Sequence, residues 1–301
     1  MEFRQIQYFV CLYEEGSVTR AARRLNIVQP ALSMQIAKLE DKIGKRLFVR
    51  SSQGMQPTSE GRRIYRLVLP VMVEFARARE QIVQTSGELS GHVRVGMIAT
   101  IAQGVLVDAL IEFTAAHPKV ELSLTDGFSG MLTDAVALGQ LDAAVINKPR
   151  RPLTLQTESI AEEDLVLVTG SRHADLPESL PLNDLITLKL VLPTRQHGLR
   201  GIIESFTQAE DISLNPNVEI DSISAILKLV RESDFCTLLP SIAVRQQLEQ
   251  GVLRGHTVSS PRLVRQIVCV TDQRRPLSTA ATVFMAVLAR HIRGLGKDAS
   301  I

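Results

Sequence analysis

Three short helical stripes, separated by two tight breaks, occupy residues 3–43 and constrain the fold more than any other feature of the chain. Phe3, Ile6, Phe9, Val10 and Tyr13 recur at helical spacing and place one apolar face on a first helix that ends at Glu15-Gly16. Ser17 suits an N-cap, because its hydroxyl can accept an orphan backbone N–H. The helix it opens, from Val18 to about Leu25, carries Ala21 and Ala22 on its inner side, small enough for another helix to approach closely. Asn26-Ile27-Val28 reads as a tight turn. Gln29 and Pro30 open a third helix, where a proline's missing N–H costs nothing. Leu32, Ile36, Leu39 and Ile43 line its inner face, and Pro30, Ser33, Met34, Ala37 and Lys38 point outward. Two short helices, a three-residue turn and a polar outer face make a helix-turn-helix. Arg46–Arg50 reads as a strand, and Ser51–Gln56, with Gly54, as a turn and wing tip. The plain alternative is a helical hairpin with a solvated basic face.

Charge is distributed to match. Residues 1–66 hold 12 Lys and Arg against 6 Asp and Glu, whereas residues 91–301 hold 20 against 23, and the whole chain of 301 residues is only +2. A basic head on a mildly acidic body suggests that the head alone meets an anionic polymer. The absence of Trp and an aromatic share of 4% disfavour a single-strand stacking surface. The apolar runs read as too short for a span of ~20 residues. The N-terminus lacks the apolar core of a secretory signal. Cys11, Cys236 and Cys269 are odd in number and far apart, which fits free thiols in a reducing cytoplasm.

A particular set of residues carries a family resemblance. Ala21-Ala22-x-x-Leu25, Gln29-Pro30-Ala31-Leu32-Ser33-x-x-Ile36-x-x-Leu39-Glu40, Gly44-x-x-Leu47-Phe48-x-Arg50 and Pro57-Thr58-x-x-Gly61 resemble the winged helix-turn-helix of LysR-type transcriptional regulators. The resemblance implies double-stranded DNA as partner, with the third helix in the major groove, where base edges carry a distinctive donor and acceptor code. The family's base-reading positions fall on Gln29, Pro30, Ser33 and Met34. Lys38, Arg50 and Ser52 are better placed for phosphates, which position the protein without specifying sequence. The helix start at Ser17 also suits a phosphate. Two positions depart from the family: Val28 stands where Ser or Thr is frequent, and Met34 where Arg or a polar residue is frequent. Met34 can touch a thymine methyl but cannot read guanine as Arg would, so the half-site preferences of relatives do not transfer.

Residues 58–90 follow as a linker. Ile64, Val68, Val71, Phe75, Ala78 and Ile82 are spaced as a coiled-coil seam, broadened by Leu67 and Met72. A lone helix has nothing to bury that stripe against, so a homodimer through residues 58–86 is expected, in agreement with how the family dimerises. Pro70 predicts a kink near Arg66–Pro70 or a break there. Thr85–Gly91 reads as a hinge by composition.

From His92 the pattern alternates strands with helices: His92–Ile98, Val105–Ala116, Val120–Leu124, Met131–Leu138 and Leu141–Ile146. It restarts at Leu165–Val168 and closes with Val264–Val270 and a helix over Thr279–Ile292. That alternation predicts parallel sheets with helices on both faces. Two lobes result, one about 91–164 and 267–301, the other about 165–266, joined by crossovers near Asp164–Thr169 and Gln266–Asp272. With 1–57 as a winged helix-turn-helix, the whole reads as an α/β chain with a long linker helix and a two-lobed, periplasmic-binding-protein-like effector domain. Gly139-Gln140-Leu141-Asp142-Ala143-Ala144-Val145 matches the family's G-x-L-D-x-A-V segment. Matching segments point to Thr100, Gln103, Phe128, Ser129, Asn147, Thr194, Gln196, His197 and Ser222 as effector-binding. Hydroxyls at helix starts (Thr100, Ser129, Ser222) suit an anionic small molecule, with Arg195 and Arg200 adding positive charge. Each of these hydroxyls could equally serve as a plain helix cap.

Catalytic signatures are missing from the sequence. Gly127-Phe128-Ser129-Gly130-Met131 lacks the last glycine of a nucleophile elbow. Gly294-Leu295-Gly296-Lys297 lacks P-loop spacing, and the histidines and cysteines show no metal spacing. Glu162-Glu163-Asp164 reads as an exposed acidic turn. No cofactor is expected. The resemblance implies a homotetramer built as a dimer of dimers, with RNA polymerase a candidate partner at the promoter. Rival readings are a regulator of the same type controlled by its abundance alone, its cleft filled by side chains, and a solute-binding protein or enzyme with a fused DNA-binding head.

Overall fold

The computed structural model describes residues 2–51, 54–83, 88–173 and 176–297. The chain forms two compact units, one of residues 1–85 with 138–140 and the other of the remainder.

In the first unit, α1 (Phe3–Glu15), α2 (Val18–Arg24) and α3 (Gln29–Ile43) precede a two-stranded wing, β1 (Phe48–Ser51) and β2 (Gly54–Pro57), and α4 (Ser59–Val83). The caps follow the residue chemistry. Gly16 ends α1 and Gly44 ends α3 at φ 58° and 74°, left-handed values that favour glycine. Ser17 caps α2 by accepting from the Arg20 N–H. Phe9, Leu12, Ala21, Leu32, Leu39, Leu47 and Phe48 fill the core. Glu40 is buried there, its carboxylate accepting from the Leu47 N–H at 2.7 Å and the Phe48 N–H at 3.2 Å, which ties α3 to the wing. Thr58 joins wing to α4: its hydroxyl accepts from the Gly61 N–H and donates to the Arg46 carbonyl. A methyl on Gly61 would lie 2.2 Å from the Leu47 carbonyl oxygen, so only glycine fits.

One expectation for the linker is narrowed and another needs correction. First, of the kink or break expected at Pro70, the break is absent: α4 continues through it. Arg66, whose carbonyl loses its partner to the proline, is exposed, so solvent can replace the bond. Second, the stripe is not left wholly to a partner helix. Ile64 and Val68, with Tyr65 and Leu69, are buried in the helix-turn-helix core. Tyr65 stacks on Tyr13 at 3.8 Å. The unburied row is Leu67, Val71 and Phe75, at 60%, 57% and 51% exposure.

In the second unit, β3 (Gly91–Met97), α5 (Ala99–Ala116), β4 (Val120–Asp126), α6 (Ser129–Ala137) and β5 (Ala143–Asn147) form a parallel β-α run. Then β6 (Gln156–Thr169) leads into β7 (Ser179–Pro181), β8 (Val191–Leu192), α7 (Gly198–Ala209), β9 (Val218–Glu219), α8 (Ile223–Glu232), β10 (Thr237–Pro240), α9 (Ser241–Glu249) and β11 (Arg254–Ser260). The unit closes with β12 (Val264–Thr271) and α10 (Thr279–Lys297). The large sheet has order β4-β3-β5-β12-β6-β11-β7, with β10 also on β6. One hydrophobic core gathers around β3, β5, α5 and α10, the other around the far half of β6, β10, α7 and α8. These are the two lobes.

The chain passes between the lobes on two adjacent strands. β6 pairs with β12 from Gln156 to Asp164, then with β10 and β11 from Leu165 to Thr169. All of β12 pairs within the first lobe, so the return crossing lies at Leu263/Val264, earlier than the expected Gln266–Asp272. Glu162-Glu163-Asp164 is a stretch of β6, not an exposed turn, and Glu163 is buried. Helix α5 starts at Ala99, six residues before the expected Val105, which puts Thr100 and Gln103 in its first turns. It is also long and apolar enough to cross a membrane by length and composition, contrary to the reading of the apolar runs. Ile101, Val105, Ala109 and Phe113, one face at four-residue spacing, are buried in the first core.

Candidate functional site

Helix α3 presents Gln29, Pro30, Ser33, Met34 and Lys38 as exposed residues, opposite buried Leu32, Ile36 and Leu39. The Gln29 amide donates to the Thr19 hydroxyl, linking the start of α3 to α2. Val28 occupies the N-cap of α3 and makes no side-chain cap bond. Arg50 is exposed on the wing strand, and Ser17 is the α2 cap described above. Ser52 lies outside the described residues. The exposed face of α3 thus combines polar Gln29, Ser33 and Lys38 with apolar Pro30 and Met34, and the wing strand adds the exposed Arg50.

The second candidate site lies between the two lobes. Arg265, on β12, is fully buried. Its Nη1 donates to Thr100 Oγ1 at 2.8 Å and to Asn147 Oδ1 at 3.2 Å, and its Nε donates to Glu163 Oε2 at 2.9 Å. Burial pulls the Arg265 guanidinium below its ordinary range, and the Glu163 carboxylate pushes it back up. Across the gap, His197 caps α7: its Nδ1 accepts from the Leu199 N–H at 3.2 Å, and its ring meets Phe128 edge-to-face at 5.7 Å. Next to it, Gly198 has no side chain, and a methyl there would lie 3.1 Å from Asn147 Nδ2 and 3.3 Å from Ser129 Oγ. Those two buried atoms have no hydrogen-bond partner among the described residues. Unpartnered buried donors are costly, so this junction has unspent capacity for a hydrogen-bond acceptor.

Comparison with known proteins decides the family. Residues 3–62 match the family model described as bacterial regulatory helix-turn-helix protein, lysR family, and residues 86–293 match the LysR substrate binding domain. The chain is a LysR-type transcriptional regulator. Among curated relatives, the nitrogen assimilation regulatory protein nac of Klebsiella aerogenes is 30% identical over 96% of this chain and 94% of its own. The transcriptional regulator CzcR of Bacillus cereus is 28% identical over 86% of each. Among solved structures, a full-length, singly substituted OxyR from Pseudomonas aeruginosa superposes with a TM-score of 0.78 at 25% identity, covering 97% of this chain and 94% of that one. Full-length CbnR bound to its target DNA shares the fold, with a TM-score of 0.68 at 20% identity over 97% of this chain and 100% of that one.

In the regulator, the interlobe junction gathers five of the sequence-predicted effector residues: Thr100, Phe128, Ser129, Asn147 and His197. Thr100 is no cap, since Ile98 occupies the N-cap of α5. Gln103 and Gln196 are exposed and make no bond to this cluster. Thr194 is held by Asp221, through its N–H at 2.9 Å and its hydroxyl at 3.0 Å. Ser222 caps α8 by accepting from the Ala225 N–H. Arg200 supplies no free charge, because it is buried against Glu204 and Glu219. Arg195 is exposed, 3.4 Å from Glu204. Sequence reasoning missed Arg265 and Glu163, the charged pair at the centre. The available signal was a basic residue at an inward position of a strand otherwise read as apolar.

The thiols are held in their protonated form. Burial pushes Cys236 to about 11 and Cys269 to about 12, and raises Cys11 as well.

His197 yields a pH prediction. Burial lowers its pKa below the ordinary 6.5; Asp221 opposes this and Arg265 adds to it. The unfolded chain therefore takes up the proton first as pH falls. Above about 6.5 both states are neutral at this site, and stability is lost as pH drops from there toward the folded value. His197→Asn keeps an N-cap acceptor without the titration. Between pH 7.5 and 5, the melting temperature of the wild type should fall more steeply than that of His197→Asn; parallel curves would contradict the assignment.

Proposed function

We propose that the regulator reads DNA through Gln29, Pro30, Ser33 and Met34, anchors on phosphates through Lys38, Arg50, Ser52 and the Ser17 helix start, and responds to a small anionic effector between its lobes. The observation that carries the effector reading is the junction of Thr100, Ser129 and Asn147 around buried Arg265, with two donors left unpartnered. A carboxylate or similar oxygen acceptor matches those donors. The function is regulatory rather than catalytic, and free thiols with raised pKa values suit a reducing cytoplasm.

A thermal-shift screen of the full chain against small carboxylates tests this. A ligand at 100 times its Kd stabilises by ~2.7 kcal/mol, and the shift should vanish in Thr100→Val. One observation favours a second reading, an abundance-controlled regulator without effector: the close approach of Gly198 to Ser129 and Asn147 fills the junction with protein atoms. A screen without any shift would support that reading.

Oligomerisation is part of the same proposal. The exposed row Leu67, Val71 and Phe75 on α4 suits a second copy of α4, giving the homodimer through residues 58–86, and exposed Val107 and Ile111 on α5 suit a further copy in a homotetramer. Two heads in a dimer would meet two half-sites. Leu67→Glu should weaken the dimer at least tenfold in sedimentation equilibrium while helical content stays unchanged. An unaltered dimer would place the interface elsewhere.

A further inference from the structure

Glu163 and Arg265 are cross-strand partners in the β6–β12 register. Each stands within two residues of the point where its strand changes lobe, Asp164/Leu165 on one side and Leu263/Val264 on the other. The pair therefore sits on the hinge itself. Its two ends reach in different directions. Arg265 is bonded to Thr100 and Asn147, on the cleft side of the first lobe. Glu163 uses its other oxygen, Oε1, to accept from the Ile242 N–H at 2.9 Å, at the first turn of α9.

That first turn is where the lobes meet. Helix α9 continues directly from β10 of the second lobe. Ile242 packs in the first core, while Ala243 and Val244 pack in the second. Gly104 of α5 admits it: a methyl there would stand 2.5 Å from the Ile242 carbonyl oxygen.

We propose that the buried Arg265–Glu163 pair is a hinge latch, linking occupancy of the cleft at Thr100 and Asn147 to the seating of α9 against α5. The proposal rests on the effector reading above and names how that site is read out. An oxygen acceptor arriving at Thr100 and Asn147 competes for the Nη1 hydrogens of Arg265. Thr100 and Asn147 are the anchors that hold the guanidinium against Glu163; losing them to a competing acceptor loosens its hold on Glu163, and Glu163 in turn positions the start of α9. By linkage, anything that unseats α9 changes affinity in the cleft by the same factor. Both residues are positioning residues: they act through Thr100, Asn147 and Ile242.

The test uses the full chain without effector or DNA, so its outcome stands apart from any ligand screen. Amide hydrogen exchange at Ile242 is measured in Thr100→Val and Thr100→Ser. Loss of the hydroxyl should accelerate exchange at Ile242 at least fivefold, and serine, which restores an acceptor for Arg265, should return it to within twofold of the wild type. In the background Arg265→Met with Glu163→Leu, Thr100→Val should change exchange less than twofold. An unchanged rate in Thr100→Val, equal acceleration by valine and serine, or full acceleration in the double-substituted background would overturn the latch, the last by assigning the coupling to α5–α9 packing. Should the double-substituted chain fail to fold, the valine–serine comparison decides alone.

Discussion

Arg265→Ala should destabilise the second unit by about 3–5 kcal/mol, the range for removing one partner of a buried ion pair. The cause is what remains. Glu163 would keep a carboxylate in a buried position with the Ile242 N–H as its one donor among the bonds described above, while Thr100 Oγ1 and Asn147 Oδ1 would lose the donor they share. Substituting both charges, Arg265→Met with Glu163→Leu, should cost less than the single change, because no unpaired charge stays buried. A chain of two compact units is not expected to unfold in one two-state step, so a whole-chain signal would blur the effect. Amide exchange in β6 and β12 across a urea series reads the second unit alone. A loss below about 1 kcal/mol would show that solvent reaches Glu163, against the burial described here.

Phe9→Ala should cost the first unit a similar ~3–5 kcal/mol, through lost transfer energy and an unfilled cavity. Phe9 is fully buried, with the Phe48 ring centroid at 5.5 Å and that of Tyr13 at 6.2 Å, so it joins α1 to the wing. A small unit has only ~5–15 kcal/mol in total, so specific DNA binding should disappear at growth temperature while the second unit keeps its own unfolding transition. Differential scanning calorimetry separates the two. Loss of both transitions together would mean that the units are not independent, and full DNA binding would mean that the core tolerates the cavity.

The first unit was the more legible in sequence because its signals are local. Gly16, Ser17, Pro30 and Gly44 each mark a cap whose chemistry acts within a few residues, and each stands where the pattern placed it. Several family signature residues prove to be structural: Glu40 accepts from the wing backbone, Thr58 bridges wing and α4, and Gly61 admits the Leu47 carbonyl. The α4 stripe was readable, but which part of it meets the chain's own core was not, because that depends on how α1 packs back on α4. In the second unit, α9 follows immediately on Pro240, which reads as the end of a strand, and β11 is almost devoid of apolar residues. His256 within it is buried by bonds to Thr169 and the Pro177 carbonyl instead. Glu163 and Arg265 lie 102 residues apart. Each looks like a local charge until the β6–β12 register brings them face to face.

Sequence-specific DNA reading through α3 is tested most directly by selection of double-stranded fragments from a random pool. The full chain and a Gln29→Ala, Ser33→Ala variant would each be incubated with the pool at about 150 mM salt, and the retained fragments sequenced. The wild type should enrich two related half-sites spaced by about whole helical turns of ~10–10.5 base pairs. The variant should lose that enrichment yet still bind DNA with a similar salt dependence, since Lys38 and Arg50 are intact. No enrichment by the wild type, or the same enrichment by the variant, would contradict the assignment of α3 as the reading helix.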